Sequence, residues 1–182
     1  MEQKPGSRIR LVTTPAEKPV RNRGQGIYHS MDDIFENATV LPDLEVTSKR
    51  RALKALADAV AQSEGIDSRE IMNHLLERER LGATGVGHGV AMPHGRMEGL
   101  ERLAIGFARL KTPVEYESPD GEPVDLMLLL LAPEEAGAVC LKALSRASRV
   151  LRDPATRAKL RATTDEKEII AIFQKSQAAI AA

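Results

Sequence analysis

The sequence is short of the residues that several protein classes need. It holds one cysteine, Cys140, among 182 residues, so neither an intrachain disulfide nor a cysteine-built zinc site can form. Tryptophan is absent and aromatic residues make up only 3%, which removes the stacking platforms that single-stranded nucleic acid needs. Net charge is missing too. Lys plus Arg number 26, and so do Asp plus Glu. A basic field for nucleic acid is therefore excluded, and so is an acidic-tail protein. The longest apolar run, Leu126 to Ala132, is strand-sized and too short for membrane insertion. No apolar stretch follows the N-terminal basic residues, so a secretory signal is not expected and the default compartment is the cytoplasm. No internal repeat is present.

What is there is globular. Hydrophobic residues are 42% and charged residues 29%, a balance that buries a core, and the length suits one domain. Residues 1–30 differ from the rest. Lys4, Arg8, Arg10, Lys18, Arg21 and Arg23 stand against Glu2 and Glu17, and prolines and glycines punctuate the stretch. It reads as a flexible N-terminal extension, with a folded domain over residues 31–182.

Within that domain, Ser48 caps a predicted helix ending near Glu64, with Ala52, Leu53, Leu56, Ala57, Val60 and Ala61 on one face and Gly65 as its stop. Asp67 opens a second helix with Glu70 as a capping-box partner, and Ile71, Met72, Leu75 and Leu76 form its inner stripe. Arg102 to Leu110 alternates as a half-buried strand, and Thr112 to Glu117 reads as a short separate one. Ser118-Pro119-Asp120-Gly121 is a turn. Leu126 to Leu131 reads as a strand covered on both faces. A helix over about 135–152 follows, with Val139, Ala143, Leu144, Ala147, Val150 and Leu151 inward. Asp153-Pro154 breaks it. A short helix surrounds Leu160, and Thr163 with Glu166 reads as the capping box of a last helix carrying Ile169, Ile170 and Phe173 inward. Helices before, between and after strands indicate a single α/β sandwich.

The chemistry-bearing segment runs from Gly82 to Arg96. Gly85, Gly87 and Gly89 let backbone N–H groups approach an anion, but taken alone the run reads as a tight loop or a strand with close backbone packing. The run has neither a P-loop ending nor a dinucleotide fingerprint. His94 sits between Pro93, which fixes the backbone, and Gly95, which leaves the imidazole uncovered. A neutral imidazole can attack phosphorus and hold a phosphoryl group covalently. Arg78 and Arg96 are candidate guanidinium donors to that group. Taken alone, His94 reads as a surface or hydrogen-bonded structural histidine. The run Glu77 to Arg80 reads as a solvated helix end, and Cys140 as a small buried residue. The four histidines show no i, i+4 metal pair.

The run from Leu76 to Arg96 resembles the active-site region of phosphotransferase-system enzyme IIA of the fructose/mannitol type (PTS EIIA type 2). Within that family it is most similar to the nitrogen-regulatory branch (EIIA-Ntr). Thr112-Pro113-Val114, Asp120 to Leu126 and Leu141 to Asp153 carry the likeness onward over roughly residues 31–176. The resemblance implies a mixed β-sheet flanked by helices on both faces. It also implies that His94 is the catalytic phosphoryl acceptor, with Arg78 near the phosphohistidine. Thr84, Gly85, Gly87, Gly89 and Arg96 are phosphate-loop candidates. The implied donor is an HPr-like phosphocarrier, itself served by a phosphoenolpyruvate-using enzyme I. The implied output is control of partners such as sensor kinases or potassium transport systems. No cofactor and no metal are implied.

One position departs from the family pattern. Where the family has a second active-site histidine, directly before Leu141, this chain has Cys140. A thiol cannot supply a cationic donor. Acceptance at His94 is then expected to survive, and onward relay to a sugar permease is placed in doubt. Three readings follow, in this order: a regulatory phosphoryl acceptor, a transport relay feeding a permease, and a non-phosphorylated binding module on the same fold.

Overall fold

The structure is a computed structural model, and it describes residues 34–181. The expected flexible extension over residues 1–30 lies outside the described residues, as do the first residues after it.

The chain runs β1 (Thr39–Leu44), α1 (Lys49–Glu64), α2 (Ser68–Arg80), β2 (Gly85–Gly87), β3 (Val90–Ala91), β4 (His94–Met97), β5 (Ala104–Val114), β6 (Val124–Pro133), α3 (Gly137–Arg152), α4 (Pro154–Ala162) and α5 (Glu166–Ala181). The strands form one mixed sheet in the order β1-β5-β6-β3-β2, with β4 also paired to β6. β1 is parallel to β5, β5 is antiparallel to β6, and β3 and β4 both run parallel to β6.

Strand β6 organises the core because its residues alternate between two apolar layers. Met127, Leu129 and Leu131 join α1 and α2 on one face. Leu126, Leu128, Leu130 and Ala132 join α3, α4 and α5 on the other. Its unbroken apolar run is the signature of a strand with no solvent face. The expected helices on both faces are therefore present.

Strand β5 corrects two expectations. It is a single eleven-residue strand, and Thr112–Val114 is its end rather than the start of a second strand. Its ladder to β6 shifts register between Arg109 and Val114, where Pro113 has no N–H to give. Nor is β5 half-buried. Ile105 and Phe107 enter the α3/α5 layer, while Ala104 and Ala108 enter the α1/α2 layer. The alternation is large against small, not apolar against polar. Gly106 is the smallest step in it: a Cβ there would lie 2.7 Å from Val60 Cγ2, so α1 sits too close for any side chain.

The helix ends follow local chemistry. Ser48 accepts from the Arg51 N–H at the start of α1, and Gly65 closes it at φ 75°. Asp67 accepts from Arg69 N–H at the start of α2. Asp153 both ends α3 and caps α4, with Pro154 in its first turn. The buried Arg157 donates to the carbonyls of Leu151 and Arg152, closing the end of α3. The last helix is capped differently from expectation. Asp165, not Thr163, accepts from the Glu168 N–H, and the Thr163 hydroxyl bonds the Glu168 carboxylate. In α3 the inward position expected for Val139 belongs to Cys140. Around the α5 end of the core, Phe35 stacks on Phe173 at 4.5 Å and Phe107 meets the same ring edge-on at 5.0 Å. Among the described residues, no helix is long and apolar enough to cross a membrane.

Candidate functional site

His94 opens β4, and its backbone is fixed from both sides. The Pro93 carbonyl accepts from Leu130 N–H at 3.0 Å, and Met92 N–H donates to the Thr84 carbonyl at 2.9 Å. Its register partner on β6 is Leu130. The imidazole is half-buried, and each ring nitrogen has one protein partner. Nδ1 lies 2.9 Å from the Met92 carbonyl, and Nε2 lies 3.1 Å from Arg78 Nε. A carbonyl can only accept and a guanidinium N–H can only donate. The neutral tautomer is thereby assigned: the proton is on Nδ1 and the lone pair on Nε2. Burial pushes the His94 pKa below 6.5; the Met92 carbonyl opposes this and the Arg78 charge adds to it. The ring is held neutral with its nucleophilic lone pair toward Arg78.

Arg78 reaches that position because α2 ends just beyond it. Its Nη1 donates to the Gly82 carbonyl at 3.0 Å, which ties the side chain to the loop it overhangs. The next residue, Glu79, anchors the same loop from beneath. Its carboxylate, with a side chain only 7% exposed, pairs with Lys49 Nζ at 2.9 Å. It accepts from the Thr84 N–H at 3.2 Å, from the Tyr116 hydroxyl at 3.3 Å and from the Thr84 hydroxyl. Lys49 also lies 4.5 Å over the Tyr116 ring. Burying a carboxylate is costly unless it is paired and hydrogen-bonded, and these partners offset that cost.

Glu79 and Tyr116 were missed in the sequence, where Glu77 to Arg80 reads as a solvated helix end. The signal was present. Glu79 falls seven residues after Met72 and four after Leu75, on the stripe that α2 buries.

The phosphate-loop candidates separate. Thr84 is buried with its hydroxyl engaged by Glu79 and Tyr116. The three glycines have protein neighbours. A Cβ on Gly85 would lie 2.5 Å from Ser118 Oγ, one on Gly87 2.9 Å from Asp120 Oδ2, and one on Gly89 2.5 Å from Arg161 Nη2. Close packing of the β2–β3 hairpin against residues 118–125 and α4 is what these glycines permit. Gly87 and Gly89 also adopt φ of 90° and 75°.

Arg96 shares a face of β4 with His94, two residues on. Its Nη1 approaches the Glu134 carbonyl at 3.4 Å and lies beside Gly137, at the start of α3. Ala136 gives that helix no side-chain cap. Cys140 lies in its first turn, 6% exposed, within the α3-side core. Burial pushes its thiol pKa up, against the nearby Arg96 charge. It is neither a cation nor a ready thiolate. The structure thus joins Arg78 to His94 directly, and groups Arg96 with Cys140 at the start of α3.

Comparison with known proteins places this geometry in a family. The family model described as phosphoenolpyruvate-dependent sugar phosphotransferase system, EIIA 2, matches residues 33–176. The nitrogen regulatory protein of Bradyrhizobium diazoefficiens is 48% identical over 141 residues, which is 78% of this chain and 92% of that protein. The crystal structure of nitrogen regulatory protein IIA-Ntr from Neisseria meningitidis superposes with a TM-score of 0.73 at 33% identity, covering 77% of this chain and 98% of that one. The mannitol enzyme IIA of Escherichia coli, in its complex with phosphorylated enzyme IIB, shares the fold at 14% identity, with a TM-score of 0.63 and coverage of 75% and 94%.

Proposed function

The chain belongs to the phosphoenolpyruvate-dependent sugar phosphotransferase system EIIA 2 family, in its nitrogen-regulatory branch, and we propose that it accepts a phosphoryl group on His94 Nε2 and controls partner proteins by its phosphorylation state. Members of this family are phosphotransferase components. The observation that carries the reading is the pair of contacts on His94. Met92 holds the Nδ1 proton, and Arg78 marks the Nε2 lone pair.

The chemistry follows from that arrangement. An HPr-like phosphocarrier, charged by an enzyme I from phosphoenolpyruvate, presents its phosphohistidine to the site. The His94 Nε2 lone pair attacks phosphorus. A new N–P bond forms as the carrier's N–P bond breaks, and the carrier imidazole leaves with its electron pair. Nδ1 keeps its proton, donated to the Met92 carbonyl, throughout, so the phosphorylated ring needs no proton transfer. Arg78 shifts its hydrogen bond from Nε2 to a phosphoryl oxygen as charge arrives there. Catalysis of this kind is positioning plus charge stabilisation.

Leu81 and Leu141 are 86% and 69% exposed. They sit at the end of α2 and near the start of α3, the two helix ends that carry Arg78 and Cys140. Exposed apolar residues at those positions suit a partner that docks over the site. With Cys140 buried and protonated at the place of the family's second histidine, the output fits regulatory targets, such as sensor kinases or potassium transport systems, better than relay to a sugar permease.

The test is intact mass after incubation with phosphoenolpyruvate, enzyme I and the HPr-like carrier. One acid-labile phosphoryl adduct on the wild type, absent from His94→Gln, supports acceptance at His94. No adduct on the wild type, with the carrier itself phosphorylated, refutes it and leaves a binding module.

A further inference from the structure

The β2–β3 turn brings together groups that the phosphoryl-acceptor reading does not use. His88 occupies that turn. Asp120 and Glu122 come from the connection between β5 and β6, more than thirty residues later in the chain. Each offers one ligand atom, and the three atoms lie within 4.8 Å of one another, all on exposed side chains. We propose that His88, Asp120 and Glu122 form a surface site for a divalent transition cation of the zinc type, separate from His94.

The donor set matches that class of ion. One imidazole nitrogen and two carboxylate oxygens are ligands that zinc accepts, with solvent completing the shell. Two carboxylates also balance the charge of a divalent ion. Donors about 2.1 Å from one zinc sit roughly 3.4 Å apart, so exposed side chains at the observed spacing need only small rotamer changes to close.

The backbone around the three ligands is already set. His88 N–H donates to Asp120 Oδ2 at 2.7 Å, and Glu122 N–H donates to Asp120 Oδ1 at 3.1 Å. Each carboxylate oxygen uses one lone pair there and keeps another. His88 itself has φ 57°, a left-handed conformation that costs energy for a non-glycine residue. Its carbonyl is fixed by Arg161 Nη2 at 2.7 Å. The Arg161 charge is answered by both oxygens of Asp125, at 2.7 Å each, which limits its repulsion of a bound cation.

The site also opens on a cavity of about 400 Å³. His88, Glu122, Asp125 and Arg161 are among its lining residues. The cluster leaves no His or Cys pair in the sequence, because two of its three ligands are carboxylates from a distant turn.

The probe is zinc chloride alone, titrated calorimetrically into the full chain in chelator-free buffer. Glu122→Gln removes a charge and leaves the backbone untouched. His88→Asn removes the imidazole while suiting the left-handed conformation. His74→Ala is the control histidine. One saturable site is expected, weakened by roughly tenfold or more in each ligand variant and unchanged in His74→Ala. Thermal melts of the metal-free variants check that they fold. Long-range nitrogen-15 NMR of the wild type provides a readout free of mutation: zinc is expected to move the His88 ring nitrogens. The proposal is overturned if no saturable site appears, if His88→Asn binds as tightly as the wild type, or if the His88 ring signals stay put under saturating zinc. None of these outcomes bears on His94, so the phosphoryl-acceptor reading stands or falls separately.

Discussion

Replacing Arg78 by methionine tests the proposed mechanism at its main charged contact. Methionine keeps an unbranched stem and removes the guanidinium. In the resting protein two hydrogen bonds go: Nε to His94 Nε2 at 3.1 Å and Nη1 to the Gly82 carbonyl at 3.0 Å. During transfer the guanidinium is assigned to a phosphoryl oxygen. A hydrogen bond to a charged group contributes about 1.5–3 kcal/mol, and about 1.4 kcal/mol is tenfold in rate. Arg78→Met is therefore expected to slow transfer from the carrier by roughly tenfold to a hundredfold. Arg78→Lys is expected to recover only part of that, because a point charge cannot reproduce the fork. The assay is rapid-quench phosphotransfer followed by intact mass, well below the unfolding temperature, since loss of the Gly82 contact costs about 1 kcal/mol of stability. A second readout isolates electrostatics from packing. The Arg78 charge helps hold the His94 pKa down, after burial, so the His94 titration in Arg78→Met should move up toward 6.5. Transfer at the wild-type rate, with an unmoved titration, would refute the role assigned to Arg78.

Four further outcomes are expected. Because burial holds the His94 pKa below 6.5, the neutral nucleophile persists as pH falls through 6.5. The transfer rate should stay level there and drop only at lower pH; a loss centred at or above 6.5 contradicts the assignment. The same shift has a stability consequence. Below 6.5 the unfolded chain binds the proton first, so wild-type stability relative to His94→Gln declines as pH is lowered through that value, which urea titrations at several pH values would record. Glu79→Ala leaves Thr84 and Tyr116 without their shared acceptor, while Lys49 keeps Glu117 at 3.1 Å; it should destabilise by about 1–3 kcal/mol, measured by urea unfolding, and a loss under about 0.5 kcal/mol would mean that the carboxylate acts as a surface group. Gly106→Ala drives a methyl to 2.7 Å from Val60 Cγ2 and 3.2 Å from Leu56 Cδ2; it should cost about 1–3 kcal/mol by overpacking, and combining it with Val60→Ala should cost less than the two changes summed.

The parts of this fold that were legible in the sequence are those set by local chemistry. Ser48 and Gly65 bracket α1, and the doubly covered run of β6 names its own burial. The pairing of Arg78 with His94 came from a resemblance, and the structure gives it a distance. What was illegible depends on partners far along the chain. Strand β1 contains Pro42 and lies at the sheet edge, so its short pattern is not distinctive. Small residues on one side of β5 make sense only once α1 packs on them. The solvated look of Glu79 is undone by Lys49 and Tyr116, which approach from other elements. The alternating glycines match an anion loop in composition, yet their close neighbours are Ser118, Asp120 and Arg161. In α3 the helix begins at Gly137, two residues later than expected, and it is Cys140, not Val139, that turns inward.

The central claim is that phosphorus joins His94 at Nε2 while Nδ1 keeps its proton against Met92. Long-range nitrogen-15 NMR of the protein phosphorylated by its carrier measures this directly. The account predicts phosphorus coupling at His94 Nε2 and a retained Nδ1 proton. Phosphorus on Nδ1, or on any residue other than His94, would contradict it.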